Sequence, residues 1–146
     1  MSELPHAKSY RELIVYQKAR QLARDVFEMT KAFPREEMYS LTDQIRYSSR
    51  SVGAQIAEAW AKRRYEKSFV TKLVDADAEQ METQHWVGIA FDCGYLNREQ
   101  ATVLKTKCEE IGRILAGMIS KAESFCNPEA LTVREEQVEY FTTAEN

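Results

Sequence analysis

Glu82 and His85 stand in the spacing Glu-x-x-His, which sets two metal ligands on one face of a helix, as a di-iron centre in a helical bundle requires. That centre needs a second such pair and two further Glu from other helices. The other histidine, His6, falls ahead of the first expected helix, so Glu82 and His85 are read as a surface or interhelical pair. Asp75, Asp77, Glu79 and Glu82 resemble the opening of a calcium loop, but that loop turns sharply on a glycine and nothing here would break a helix. A solvated acidic face is expected, with Glu82 available for a salt bridge to a neighbouring helix. There is no Gly-x-Ser-x-Gly elbow, no glycine-rich phosphate loop, and no cysteine whose neighbours would activate its thiol. The sequence therefore predicts no enzyme, no metal and no cofactor.

The basic residues are more suggestive. Residues 40–72 hold seven basic side chains against three acidic ones, a local charge of +4 in a chain of net charge −3. Arg46, Arg50 and Arg64 would share one side of a helix continued that far, with Lys62, Arg63 and Lys67 nearby. Clustered guanidinium groups contact phosphates in a bidentate way. Affinity of that kind is salt-dependent and reads little sequence. The same arginines could equally pair with carboxylates of this or a neighbouring subunit.

The elements that must position these residues are all helical. Apolar residues make up 44% and charged residues 29%, with only five Gly and three Pro, a composition that fits an ordered helical protein rather than a disordered one. Ser9 and Glu12 have capping-box spacing and open a first helix with the stripe Val15, Ala19, Leu22, Val26, Met29, Phe33, stopped by Pro34. After a loop at 34–39, a second helix begins near Ser40 as cap, with Asp43 in its first turn and Leu41, Ile45, Ser48, Val52, Ile56 and Ala59 on one face. Its opposite side mixes Arg46 and Arg50 with Gly53, Ala54, Ala57 and Ala61. Small residues there would let a second copy approach closely; alanine is also simply a good helix former.

The junction at 61–68 has no Gly or Pro to mark it. A third helix over about 66–93 carries Phe69, Leu73, Ala76, Gln80, Thr83, Val87 and Ala90, and ends at Gly94. Gln80 and Thr83 must be hydrogen-bonded if buried, or the stripe turns toward Met81 and Trp86. Asn97 and Gln100 have capping-box spacing and start a fourth helix to about 125, with Leu104, Cys108, Ile111, Leu115, Met118 and Ala122 inward. Four helices with short connections predict an all-α, antiparallel up-down four-helix bundle over residues 1–126. Residues 127–146 read as an acidic tail, frayed or forming a short docked helix at 133–140. With no apolar run long enough for a membrane span and no signal-peptide core, a cytoplasmic protein is expected. Cys93, Cys108 and Cys126 are then reduced packing residues.

Several short runs, taken together, carry a family likeness: Leu-x-x-Tyr-Gln-Lys-Ala at 13–19, Phe33-Pro34 with Glu37, Tyr39 and the run 41–46, Ser51-Val52, and Ile56-Ala57-Glu58. Ala76, Glu82, Thr83, Gln84, Trp86 and Cys93-Gly94-Tyr95-Leu96 add to them. Over about residues 10–120 the chain resembles the 23S ribosomal RNA intervening-sequence proteins, relatives of the accessory variability protein of diversity-generating retroelements. The resemblance implies an antiparallel bundle assembled as a ring-like homopentamer, basic surfaces that engage nucleic acid, and no catalysis. Gln55 stands where the family often has Asn, and Ala78-Glu79 where many members have Gly-Ser. A reverse-transcriptase partner is not carried over.

The expectation is thus a homo-oligomer that binds RNA or DNA through Arg46, Arg50, Lys62, Arg63, Arg64 and Lys67. The alternative is a structural scaffold for a protein partner, self-associating through Gly53, Ala54, Ala57 and Ala61, with the arginines in intersubunit salt bridges.

Overall fold

The computed structural model describes residues 7–126; the acidic tail expected at 127–146 lies outside them. Four long helices dominate: α1 (Ile14–Thr30), α2 (Asp43–Ala61), α3 (Glu66–Asp92) and α4 (Arg98–Ser120), followed by one short turn, α5 (Ala122–Phe125). No strand occurs among the described residues. Packing runs α1 on α2, α2 on α3, α3 on α4, and α4 back on α1, which closes a four-helix bundle. Among the described residues no helix is long and apolar enough to cross a membrane.

The inward stripes follow from 3.6-residue periodicity. Val15, Ala19, Leu22 and Val26 of α1 are buried, as are Ile45, Ser48, Val52, Ile56 and Ala59 of α2. Every residue expected inward on α3 and α4 is buried too, from Phe69 to Ala90 and from Leu104 to Met118. Each fully buried Leu, Ile or Phe contributes roughly 1.5–3 kcal/mol by leaving water. At the end of α1 the stripe shifts by one position: Met29 is half-buried and Thr30 takes the inward place.

Gln80 and Thr83 are buried and hydrogen-bonded, while Met81 faces solvent. The Thr83 hydroxyl lies 2.8 Å from Ser48 Oγ and 2.9 Å from the Glu79 carbonyl. Gln80 donates to Asp77 Oδ1 at 2.8 Å and accepts from Gln84 Nε2 at 2.8 Å. Gly112 of α4 makes the space, since a Cβ there would come within 2.8 Å of Gln80 Nε2.

Several local expectations need correction. Ser9 accepts from the Arg11 N–H and closes only a 3-10 turn, Tyr10–Glu12, while the Glu12 carboxylate takes the Lys8 N–H rather than that of Ser9. α1 itself starts at Ile14, after extended Leu13 and without a side-chain cap. Ser40 does not cap α2; it sits inside a π-helical turn, Met38–Thr42, and donates to Glu37 Oε1. The fourth helix breaks at Lys121 before α5. Cys93 is exposed, so only Cys108 and Cys126 are packing residues.

The box at Asn97 is formed in both directions, with the Asn97 side chain accepting from the Gln100 N–H and Gln100 accepting from the Asn97 N–H. Gly94 has φ +79°, the left-handed conformation that ends α3.

Candidate nucleic-acid interface

The predicted basic segment divides in two. Sixteen residues separate Arg46 from Lys62, about 24 Å along a helix, and the two groups meet different surroundings.

The first group joins α1. Arg46 donates from Nε to Thr30 Oγ1 at 2.8 Å, and its guanidinium lies 4.8 Å from the centre of the Phe27 ring. Arg50 lies 5.6 Å from the same ring, and Lys31 covers it at 5.0 Å. Arg50 then lines a groove of about 400 Å³ between α1 and α2, together with Arg20 and Arg24 of α1. Its remaining walls are Tyr16, Phe27 and the small residues Ala19, Ala23, Gly53 and Ala54, and no carboxylate lines it. Arg20 donates to the Tyr16 phenol oxygen at 3.2 Å, and that bond raises its pKa further above the ordinary arginine value.

Such a groove is positive, open and partly preorganised. Guanidinium groups held over aromatic faces lose less freedom when they grip an anion.

Arg20 and Arg24 lie outside the locally basic run, so the sequence alone does not single them out. Their signal was the four-residue spacing of Tyr16, Arg20 and Arg24 beside the α1 core stripe, which puts them on one flank of the helix. Only the pairing of α1 with α2 shows which flank meets Arg50.

The second group, Lys62, Arg63, Arg64 and Lys67, occupies the turn between α2 and α3 and the first turn of α3. Lys62 is the C-terminal cap of α2, where its charge complements the helix dipole. Arg63 donates from Nε to the Trp60 carbonyl at 2.9 Å and stacks 3.6 Å from the centre of the Trp60 ring. Lys62, Arg64 and Lys67 are exposed. Lys72 is committed elsewhere, 3.1 Å from Glu58 and 3.9 Å from Asp75.

The small residues of α2 are also split. Gly53 faces α1 of its own chain, where an added Cβ would meet Tyr16 at 3.5 Å and Ala19 at 3.8 Å. Ala57 is half-buried, whereas Ala54 and Ala61 are exposed.

Among the described residues no group of three or more His, Cys, Asp or Glu is arranged to hold a metal ion. Glu82 accepts from the Trp86 indole at 3.0 Å rather than from a basic side chain, and the His85 ring stands edge-on to Trp86 at 4.7 Å. Burial raises the Glu79 pKa, and neighbouring Glu82 and Asp75 raise it further.

Residues 11–117 match the family described as 23S rRNA-intervening sequence protein. Solved structures that match include a crystal structure of a protein of unknown function from the S23 ribosomal protein family of Bacteroides thetaiotaomicron VPI-5482. It is 28% identical, superposes with a TM-score of 0.67, and is matched over 73% of this chain and 98% of its own. No curated protein matches the chain.

Proposed function

We propose that this chain, which belongs to the 23S rRNA-intervening sequence protein family, binds the phosphate backbone of a nucleic acid and performs no catalysis on it. The carrying observation is the α1–α2 groove, where Arg20, Arg24 and Arg50 converge without a lining carboxylate. Phosphate oxygens placed there would meet three guanidinium groups, and the counterions they displace would supply most of the affinity. Arg46, bonded to Thr30, lies beside the groove over Phe27, one of its walls. Lys62, Arg63, Arg64 and Lys67 add a second contact region at the α2–α3 turn, so a bound strand would be long or the protein multivalent.

Self-association into a homo-oligomer, a ring of five, belongs to the same proposal. Exposed apolar surface supports it: Val74 and Met81 of α3 are 50% and 61% exposed, with exposed Ala78 between them. Ala61 adds a small exposed residue on α2.

Titration of labelled RNA and DNA at several salt concentrations tests the reading, with oligomeric mass measured by light scattering in the same buffers. The triple variant Arg20→Ala, Arg24→Ala, Arg50→Ala is expected to flatten the salt slope by about one unit per arginine that contacts a phosphate. Unchanged binding by that variant at low salt would overturn it.

The same exposed apolar surface favours a second reading, a scaffold for a protein partner in which the arginines bridge subunits. In that case the triple variant loses mass rather than nucleic-acid affinity.

A further inference from the structure

Tyr47 is 71% exposed on α2 and sits in a shallow depression with Arg46, Arg50, Gln44, Ser51 and Asp43. A single exposed tyrosine needs no explanation in itself. Its position does, because this depression shares Arg50 and Ala54 with the α1–α2 groove and so continues it around α2.

The other aromatic rings of this surface are already engaged. Phe27 lies under Arg46, Arg50 and Lys31. Tyr16 accepts a hydrogen bond from Arg20 and stands edge-on to Tyr10 at 4.8 Å. Among the described residues Tyr47 has no ring partner. It is an aromatic face beside two guanidinium groups, at the end of a basic groove.

The geometry points to single-stranded nucleic acid as the ligand of the α1–α2 face, with its backbone in the groove at Arg20, Arg24 and Arg50 and a base stacked on Tyr47. The inference rests on the phosphate-binding reading of that groove. Two packed helices lie about 8–10 Å apart, so a duplex would ride on the rims, with its base faces closed by their neighbours. A single strand offers phosphates and open base faces together, and basic grooves flanked by aromatic platforms suit that combination. Asp43, at the far edge of the depression, repels phosphate there. The backbone is thereby kept on the Arg50 side and the base is left over Tyr47.

Fluorescence anisotropy with a labelled single-stranded oligonucleotide and a duplex of equal length, at one low salt concentration, tests this. The wild-type protein should bind the single strand more tightly. Tyr47→Ala should weaken single-strand binding roughly 5- to 150-fold, the range for losing one stacked base, with the salt slope and the oligomeric mass unchanged. Tyr47→Phe should retain affinity, and Tyr39→Ala, which removes an exposed tyrosine from outside either lining, should have no effect.

Equal or tighter duplex binding overturns the inference, as does a Tyr47→Ala variant that binds like the wild type while the triple arginine variant fails. A Tyr47→Ala variant that loses mass and affinity together makes Tyr47 a subunit contact and overturns it too. Absence of wild-type binding to either nucleic acid overturns the phosphate-binding reading itself.

Discussion

Gly112 and Gly88 are both helical glycines, yet their surroundings give substitution opposite signs. At Gly112 a Cβ would lie 2.8 Å from Gln80 Nε2 and 3.3 Å from Asp77 Oδ1, two atoms already hydrogen-bonded to each other between α3 and α4. Overpacking of this kind costs about 1–3 kcal/mol, partly offset by the roughly 1 kcal/mol that alanine gains over glycine in a helix. Gly88 has nothing within 4 Å of its added Cβ. Urea denaturation should therefore show Gly112→Ala destabilised and Gly88→Ala stabilised by about 0.5–1 kcal/mol; a gain at both positions would contradict the packing described at Gln80. Tyr95 and Glu37 supply a pH dependence. The phenol donates to Glu37 Oε2 at 2.8 Å. Hydrogen bonds from Ser40 and then Tyr95 lower the Glu37 pKa, against the opposing effect of burial. Its contribution to stability is present above the unfolded value near 4.5 and is lost as pH falls through the folded value. The bond to Glu37, with burial second, pushes Tyr95 up to about 12, so its contribution is full below pH 10 and fades as pH rises from 10 through about 12. Thermal melts of Tyr95→Phe across the pH range should decline less steeply at both extremes than those of the wild type. Identical profiles would exclude the coupling.

Among the helices, the start of α4 differs from the approach to α1. Asn97 and Gln100 satisfy each other's backbone N–H groups at 2.8 and 2.9 Å, so Asn97→Ala should cost about 1 kcal/mol in a chemical melt. Ser9→Ala should cost less, because Ser9 closes only a 3-10 turn. Equal losses would mean that the turn at Tyr10 carries as much as the α4 cap. The contrast also explains what could be read in advance. Apolar periodicity located the helices and nearly every inward residue, because a stripe such as Leu104, Cys108, Ile111, Leu115 buries only one way. Cap spacing alone was ambiguous: Ser9–Glu12 and Asn97–Gln100 look alike as sequence, but extended Leu13 interrupts the first. The π-turn at 38–42 has no periodic signature and was invisible. The candidate site is half legible: Arg50 stands within a basic run on one helix, whereas Arg20 and Arg24 belong to another helix and join it only through the rotation of α1 against α2, which local spacing does not determine.

Across the whole molecule the charge arrangement is uneven by design of the packing rather than by excess. The chain is net negative at −3, while arginines from α1 and α2 gather in one groove and carboxylates such as Asp25 and Glu110 pair with Lys107 and Lys18 across α1 and α4. A polyanion approaching at random would meet an unfavourable overall field and a local attraction, which favours one orientation of approach. The contacts between the chain's connections have a different consequence. Phe33 and Tyr95 pack with ring centres 5.6 Å apart, and the Tyr95–Glu37 bond spans the same gap. The α1–α2 and α3–α4 crossings are thereby fastened to each other at one end of the bundle. At the opposite end, Phe69 of α3 stacks on Phe125 of α5 at 5.7 Å. At the Phe33–Tyr95 end neither connection loosens alone: amide exchange near residues 35–42 should rise and fall with exchange near 93–97, as a single opening unit.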